Sequence, residues 1–283
     1  MQIMLKRILI GAVIGASAFF NAEAQKLTAH NGTVPNSYNF WLYTPENTLE
    51  EEVEPKPVVI FLHGASLCGR DLNKVRRYGT LDAIEKGRNI DAYVIAPQNP
   101  GGSWNPDKIM DIFDWVSDEH NVDYDRVYVI GMSLGGYGTI DLAAAYPDRI
   151  AAAIAMCGGA TAPDLSTLND VPLWIIHGTA DRAVSVQQSD KVVSAMKNAD
   201  SETPRLIYNR VAGMNHSRPA RLFYLPESYE WLFSHTLKDE ERTVTPAFEL
   251  TNSLLQSAYS GLKSTGTSRS SAARKRRASQ RKR

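Results

Sequence analysis

The stretch 126–146, RVYVIGMSLGGYGTIDLAAAY, constrains this chain most: a β-branched apolar run meets a serine set between glycines and then a helix-forming segment. Its centre is Gly131-Met132-Ser133-Leu134-Gly135, a GxSxG pentapeptide. In a sharp strand-to-helix turn of this kind the serine hydroxyl is lifted out of a sheet, and neighbouring backbone comes so close that positions 131 and 135 have no room for a Cβ. The flanks carry the reading. Val127-Tyr128-Val129-Ile130 has the pattern of a buried strand, and the segment 134–146 sets Ile140, Ala143 and Ala144 at helical spacing before Pro147 stops it. Ser133 is therefore the candidate nucleophile, and a purely structural glycine-rich turn is the competing reading.

The two ends differ in kind from the middle. Lys6 and Arg7 precede a thirteen-residue apolar run, 8–20, and Ala22-Glu23-Ala24 follows as a small-x-small cleavage signature. This is the pattern of a secretory signal peptide over 1–24, since a spanning helix needs about 20 apolar residues. The mature chain is expected to begin near Gln25 and to be secreted or periplasmic, with Cys68 and Cys157 in an oxidising compartment. Whether those two form a disulfide or remain separate thiols stays open. At the other end, 269–283 hold eight of the 31 basic residues and no acidic one, leaving 23 basic against 31 acidic residues in the rest. The formal net charge of zero thus conceals an acidic body with a basic tail. Residues 243–283 are expected to be a disordered extension whose tail contacts anionic surfaces.

Between these ends, 283 residues with 43% hydrophobic content suffice for one catalytic domain, 25–242, with a sizeable core. Strands are expected at 38–43, 58–62, 92–96, 127–130, 150–156, 173–176 and 206–211, and helices at 72–86, 106–120, 134–146, 186–198 and 221–233. Continuous apolar strands alternating with amphipathic helices predict an α/β fold with a mostly parallel central sheet and helices on both faces. Ligands bind such sheets at the carboxyl ends of the strands.

With these residues in place, the chain over 35–236 resembles the α/β-hydrolase superfamily. More narrowly it looks like small lidless esterases of the dienelactone hydrolase, phospholipase/carboxylesterase and secreted feruloyl or acetyl-xylan esterase type. Some "predicted peptidases" of the same kind share the loop seen here as Leu62-His63-Gly64-Ala65. The resemblance implies a Ser, acid, His order along the chain. Asp181, in Ile175-Ile176-His177-Gly178-Thr179-Ala180-Asp181, matches the acid, and His216, in Val211-Ala212-Gly213-Met214-Asn215-His216, matches the base. Asp164 and Asp170 precede the strand and fit worse. His63 and His177 precede turn glycines and read as structural, and His30, His120 and His235 have no matching context. The two backbone donors for an oxyanion would be the N–H groups of Ala65 and Leu134.

Trp104, after a Gly-Gly-Ser turn, and Tyr137, in the helix after the serine, are candidates for lining the substrate pocket; core packing competes for Tyr137. No HExxH, paired-cysteine spacing or phosphate loop occurs, so no metal or cofactor is expected. The expected activity is hydrolysis of carboxylic esters through an acyl-enzyme, on a small-molecule or glycan-linked ester. A serine peptidase or amidase on the same triad, and a non-catalytic hydrolase-fold binding protein, remain alternatives. Nothing points to specific nucleic-acid recognition, and oligomeric state is open. Only sixteen residues, 157–172, separate the strands where superfamily members with lids often carry them. An open site for soluble short-acyl or aromatic-acyl esters is expected.

Overall fold

The computed structural model describes residues 26–46, 54–246 and 248–263. The segment 1–24 expected to be a signal peptide and the basic run 269–283 lie outside these described residues. Five apolar segments become sheet strands buried along most of their length: β3 (Lys56–Leu62), β4 (Tyr93–Pro97), the second half of β5 (Val122–Met132), β6 (Ala152–Met156) and β7 (Leu173–Gly178). With β1 (Lys26–His30), β2 (Phe40–Thr44) and β8 (Leu206–Val211) they form one eight-stranded sheet in the order β1-β2-β4-β3-β5-β6-β7-β8. The pairings from β4 to β8 are all parallel, and β1 and β2 join by antiparallel pairing at one edge. β1, partly exposed and edge-placed, lacks the apolar run that marked the other strands.

Because strand side chains alternate, the sheet separates two cores. Val59 and Phe61 of β3 face a cluster built with α1 (Thr80–Glu85), α5 (Pro226–Phe233) and α6 (Asn252–Ser257). Val58, Ile60 and Leu62 face the other, built with α2 (Pro106–Glu119), α3 (Leu134–Ala145) and α4 (Gln187–Ala199). The carboxyl ends of β3, β5, β7 and β8 therefore gather on one side, with the loops of interest.

Two expected helices are each broken in two. The segment expected as one helix over 72–86 is a 3-10 helix, Leu72–Arg77, followed by α1, with Gly79 between them at φ 95°. A Cβ at Gly79 would collide with the Phe61 ring, so the chain turns where only glycine fits. The segment expected over 221–233 is a 3-10 helix, Arg218–Tyr224, then α5. Leu225 precedes Pro226 and is extended (φ −84°, ψ 126°), as the proline ring demands.

The expectation of disorder from 243 onward is wrong for the described residues 243–246 and 248–263. These residues fold back onto the first core: Leu255 and Ala258 are fully buried in it, and Val244, Phe248, Leu250, Leu254 and Leu262 pack against it. Phe248 lies against Trp174 with ring centroids 4.9 Å apart. Thr251 caps α6 by accepting a hydrogen bond from the Leu254 amide at 3.1 Å. The composition of the basic tail had masked a short apolar pattern upstream of it. Leu255→Ala should therefore lower the unfolding free energy by about 2–5 kcal/mol in chemical denaturation, the cost of emptying a leucine site in a packed core; a change near zero would place the segment outside the cooperative fold.

Candidate active site

Ser133 lies between β5 and α3 at φ 59°, ψ −121°, backbone that a residue with a side chain rarely adopts. Packing holds it there. A Cβ on Gly131 would collide with the Gly135 carbonyl, and one on Gly135 with the Leu62 carbonyl, so α3 sits directly on the ends of β5 and β3 only because both positions are glycine. The Ser133 amide donates to the Met156 carbonyl at 2.8 Å, tying the turn to β6 as well.

His216 follows β8 on a loop stitched to the one after β7. The Gly213 amide donates to Thr179 Oγ1 at 2.9 Å, and the Ala180 amide to the Met214 carbonyl at 3.1 Å. This brings His216 Nε2 to 3.0 Å from Ser133 Oγ and His216 Nδ1 to 2.6 Å from Asp181 Oδ2. The Asp181 side chain has no exposed surface. Burial pushes its carboxyl pKa upward, but the hydrogen bond from His216 and the amides of Val184 and Ala183 outweigh it and hold the group below its ordinary value. Those amides donate to Oδ1 at 2.9 and 2.8 Å. An ionised Asp181 keeps the Nδ1 proton on its side of the ring, leaving Nε2 as the acceptor for the serine proton. The arrangement can abstract a proton from Ser133 and return it to a leaving group.

The backbone around the serine supplies donors. Leu134 opens α3 and Ala65 opens a 3-10 helix, Ala65–Leu67, so neither amide has an intrahelical acceptor, nor any acceptor among the described residues. A Cβ on Gly64 would lie 3.4 Å from that of Ser133, which sets the Ala65 loop directly over the serine. His63 holds this loop, with Nδ1 donating to the Gly64 carbonyl at 2.8 Å and Nε2 accepting from the Asn99 amide at 3.1 Å. Tyr78 adds a hydroxyl that accepts from the Gly64 amide at 3.0 Å.

Trp104 does not line the site. Only 3% exposed, its ring packs 5.3 Å from Tyr38 and 5.0 Å from His63 and fills the slot that Gly138 leaves on α3. A polar loop suggested exposure, but the missing side chain at Gly138 draws the indole inward. Tyr137 is half-buried with its ring against Gly159, and burial, then the Asp141 charge, raises its pKa.

Three groups that are not among the expected site residues lie beside the site. His177 Nε2 faces Asp181 Oδ2 at 3.3 Å and the Val184 carbonyl at 3.0 Å, while Nδ1 lies 2.8 Å from Ser189 Oγ. Ser189, on α4, donates in turn to the Gly158 carbonyl at 2.9 Å. Cys157, buried at φ 49°, has its thiol 3.8 Å from the His216 carbonyl, and burial together with the Asp181 charge pushes its pKa far up. Both cysteines are free, which closes the disulfide question. Ligand-capable atoms of Cys157, Asp181 and His216 lie within 4.8 Å of one another. Asp181 and His216 already bond each other and the thiol is held protonated, so this set suits proton transfer rather than a metal ion. Outward from His216 opens a cavity of about 630 Å³ lined by Ala180, Arg182, Ala183, Asn215, His216 and Ser217.

A parallel sheet bearing a serine on a strained strand-to-helix turn, with its base and acid on later strand ends, defines an α/β hydrolase. The chain belongs to the alpha/beta hydrolase fold family, which matches residues 57–252. It is 27% identical to acetylxylan esterase A of Emericella nidulans over 45% of this chain and 44% of that protein. It is 33% identical to a probable acetylxylan esterase A of Aspergillus flavus over 56% and 54%, respectively. Feruloyl esterase B of Thermothelomyces thermophilus is 28% identical over 51% of this chain and 52% of its own length. The chain thus spans about half the length of these curated relatives. Among solved structures, a thermostable esterase superposes with a TM-score of 0.59 at 24% identity, covering 75% of this chain and 63% of that one. S-formylglutathione hydrolase of Staphylococcus aureus superposes at 0.53 and 18% identity, covering 74% and 98%. These two likenesses are of fold.

Burial lowers the His63 pKa from 6.5 to about 4, because a charged ring there would be desolvated; the hydrogen bond to Gly64 opposes this only in part. The unfolded chain binds this proton near pH 6.5 and the folded one does so only near 4, so between those values the unfolded state holds more protons and stability falls as pH falls. The loss from this residue amounts to about 3 kcal/mol across that window. His63→Gln should flatten the slope of unfolding free energy against pH between 6.5 and 4, measured by denaturation at each pH.

Proposed function

We propose that this chain is an exported serine carboxylesterase that cleaves short-acyl or aromatic-acyl esters carried on carbohydrate. The observation that carries the reading is the unbroken line from Asp181 through His216 to Ser133, with hydrogen bonds of 2.6 and 3.0 Å. Ser133 Oγ attacks the ester carbonyl as His216 Nε2 takes its proton. Negative charge gathers on the carbonyl oxygen under the Ala65 and Leu134 amides. The tetrahedral adduct then collapses, the bond to the alcohol breaks, and His216 returns the proton to the departing oxygen. Water, activated by the same imidazole, hydrolyses the acyl-serine.

The names of the relatives, acetylxylan and feruloyl esterases, support an ester of a carbohydrate as substrate. The short crossing between β6 and β7 supports an open site. It is held down on α3 rather than raised over the serine: Asp141 accepts from the amides of Thr161 and Ala162 at 2.7 and 2.9 Å, and Thr167 Oγ1 donates to the Ala144 carbonyl at 2.7 Å. Export rests on Lys6, Arg7, the apolar run 8–20 and Ala22-Glu23-Ala24. Among the described residues no helix is long and apolar enough to cross a membrane.

Ser133→Ala should lower turnover of an aryl acetate at least about a hundredfold while leaving Tm unchanged, since the three groups act as a unit. In a panel of aryl acetates, feruloyl esters, long-chain esters and peptide anilides, soluble esters should show ordinary saturation with no jump at the solubility limit. Faster cleavage of the anilides, or a rate jump for a long-chain ester as it forms micelles, contradicts the reading.

A further inference from the structure

The hydrogen bonds set which side of the serine receives the alcohol. The imidazole that takes the Ser133 proton also protonates the leaving oxygen, so the alcohol portion must lie on the His216 side, while the carbonyl oxygen turns to the Ala65 and Leu134 amides. On that side opens the cavity shared by Arg182, His216, Asn215 and Ser217. Its wall carries one cationic side chain, Arg182, and no carboxylate. Asp181, next in sequence, is turned inward with no exposed surface and both oxygens engaged.

Arg182 is exposed and has no hydrogen bond or ion pair among the described residues. Arg76, Arg126, Arg149, Arg205 and Arg210 each face a carboxylate, and Arg88, Arg221 and Arg242 bond backbone carbonyls. Arg70 and Arg77 are, like Arg182, exposed without a partner among the described residues; what sets Arg182 apart is its place in the cavity wall beside His216. On the far side of the His216 loop, Arg218 also lacks a carboxylate: its Nη2 donates to the Asn252 backbone and side-chain oxygens, both at 3.4 Å. Outside the basic run 269–283, the chain has 23 basic against 31 acidic residues. Two guanidiniums without anions thus flank the catalytic histidine of an acidic body, and one of them opens into the alcohol side of the site. A guanidinium fork pairs with a carboxylate through two parallel N–H donors, and its field also draws anions towards the mouth.

We infer that the cavity takes an alcohol portion bearing a carboxylate, bound by the Arg182 guanidinium, so that the substrates are esters of hydroxy acids or of uronic-acid residues in a glycan. This deepens the esterase reading and rests on it. Arg182 is a specificity residue here; it takes no part in moving the proton.

The test compares two matched pairs: 4-acetoxybenzoate with 4-acetoxybenzamide, and O-acetylated uronate oligosaccharides with O-acetylated xylo-oligosaccharides. Within each pair the ratio of kcat/KM values is measured for the wild type, Arg182→Gln and Arg182→Lys, so that the intrinsic reactivity of each leaving group cancels between variants. The wild type should favour the anionic member of at least one pair, and the pair that shows it identifies the source of the carboxylate. Arg182→Gln should lower that preference about tenfold, the worth of one charge-assisted contact. Arg182→Lys should keep part of it, and added salt should erode it in the wild type. No anionic preference in either pair, or a preference that Arg182→Gln leaves intact, overturns the inference. That result is distinguishable from failure of the esterase reading, in which the wild type would turn over neither neutral nor anionic esters, and the inference would fall with it.

Discussion

The close seating of α3 on the ends of β3 and β5 is the contact on which the rest of the site depends. Gly135 lies against the Leu62 carbonyl and Gly131 against Gly135, leaving no space for a side chain at either position. This approach forces Ser133 into left-handed backbone and starts α3 immediately after it, with the Leu134 amide left without an acceptor among the described residues. It also brings the β3 end, and with it the Ala65 loop, beside the serine. The Ser133 turn and the amides proposed as oxyanion donors are thus consequences of one packing event, and the strain at Ser133 is offset by two buried cores on either side of the sheet.

The acid and base are positioned by a different economy, one of hydrogen bonds. Asp181 is a buried carboxylate, costly unless its oxygens are matched, and here two amides take Oδ1 while His216 and His177 face Oδ2. The same saturation fixes the His216 ring. Around it, His177 and Ser189 bridge to the loop after β6, and the buried thiol of Cys157 lies against the His216 backbone. The site is therefore supported by polar groups that never reach the solvent-facing cavity.

Much of this was legible in the sequence because it is locally encoded. Gly131, Ser133 and Gly135 lie within five residues of one another, and the strand segments preceding Ser133 and Asp181 are continuous apolar runs, whereas β8 before His216 carries Asn209 and Arg210. Asp181 and His216 were found through a resemblance, since nothing in their spacing alone says that they meet. What escaped depends on contacts between distant segments. Trp104 follows a polar loop yet is drawn into the core by the vacancy at Gly138, 34 residues away. The helices expected at 72–86 and 221–233 have good periodicity, but Gly79 and Pro226 impose turns that the pattern does not report. The segment 248–263 is hidden between polar stretches, and its leucines gain meaning only from the open face of the first core. His177 sits one turn of loop from Asp181, a proximity that spacing could have suggested.

The structure of a Ser133 adduct with a small alkyl phosphonate fluoride tests the central claim most directly, because the phosphonate imitates the tetrahedral intermediate. The geometry predicts a covalent bond to Ser133 Oγ with the phosphoryl oxygen about 2.7–3.1 Å from the backbone nitrogens of both Ala65 and Leu134. A phosphoryl oxygen turned to solvent, or an adduct on another residue, would contradict the proposed site.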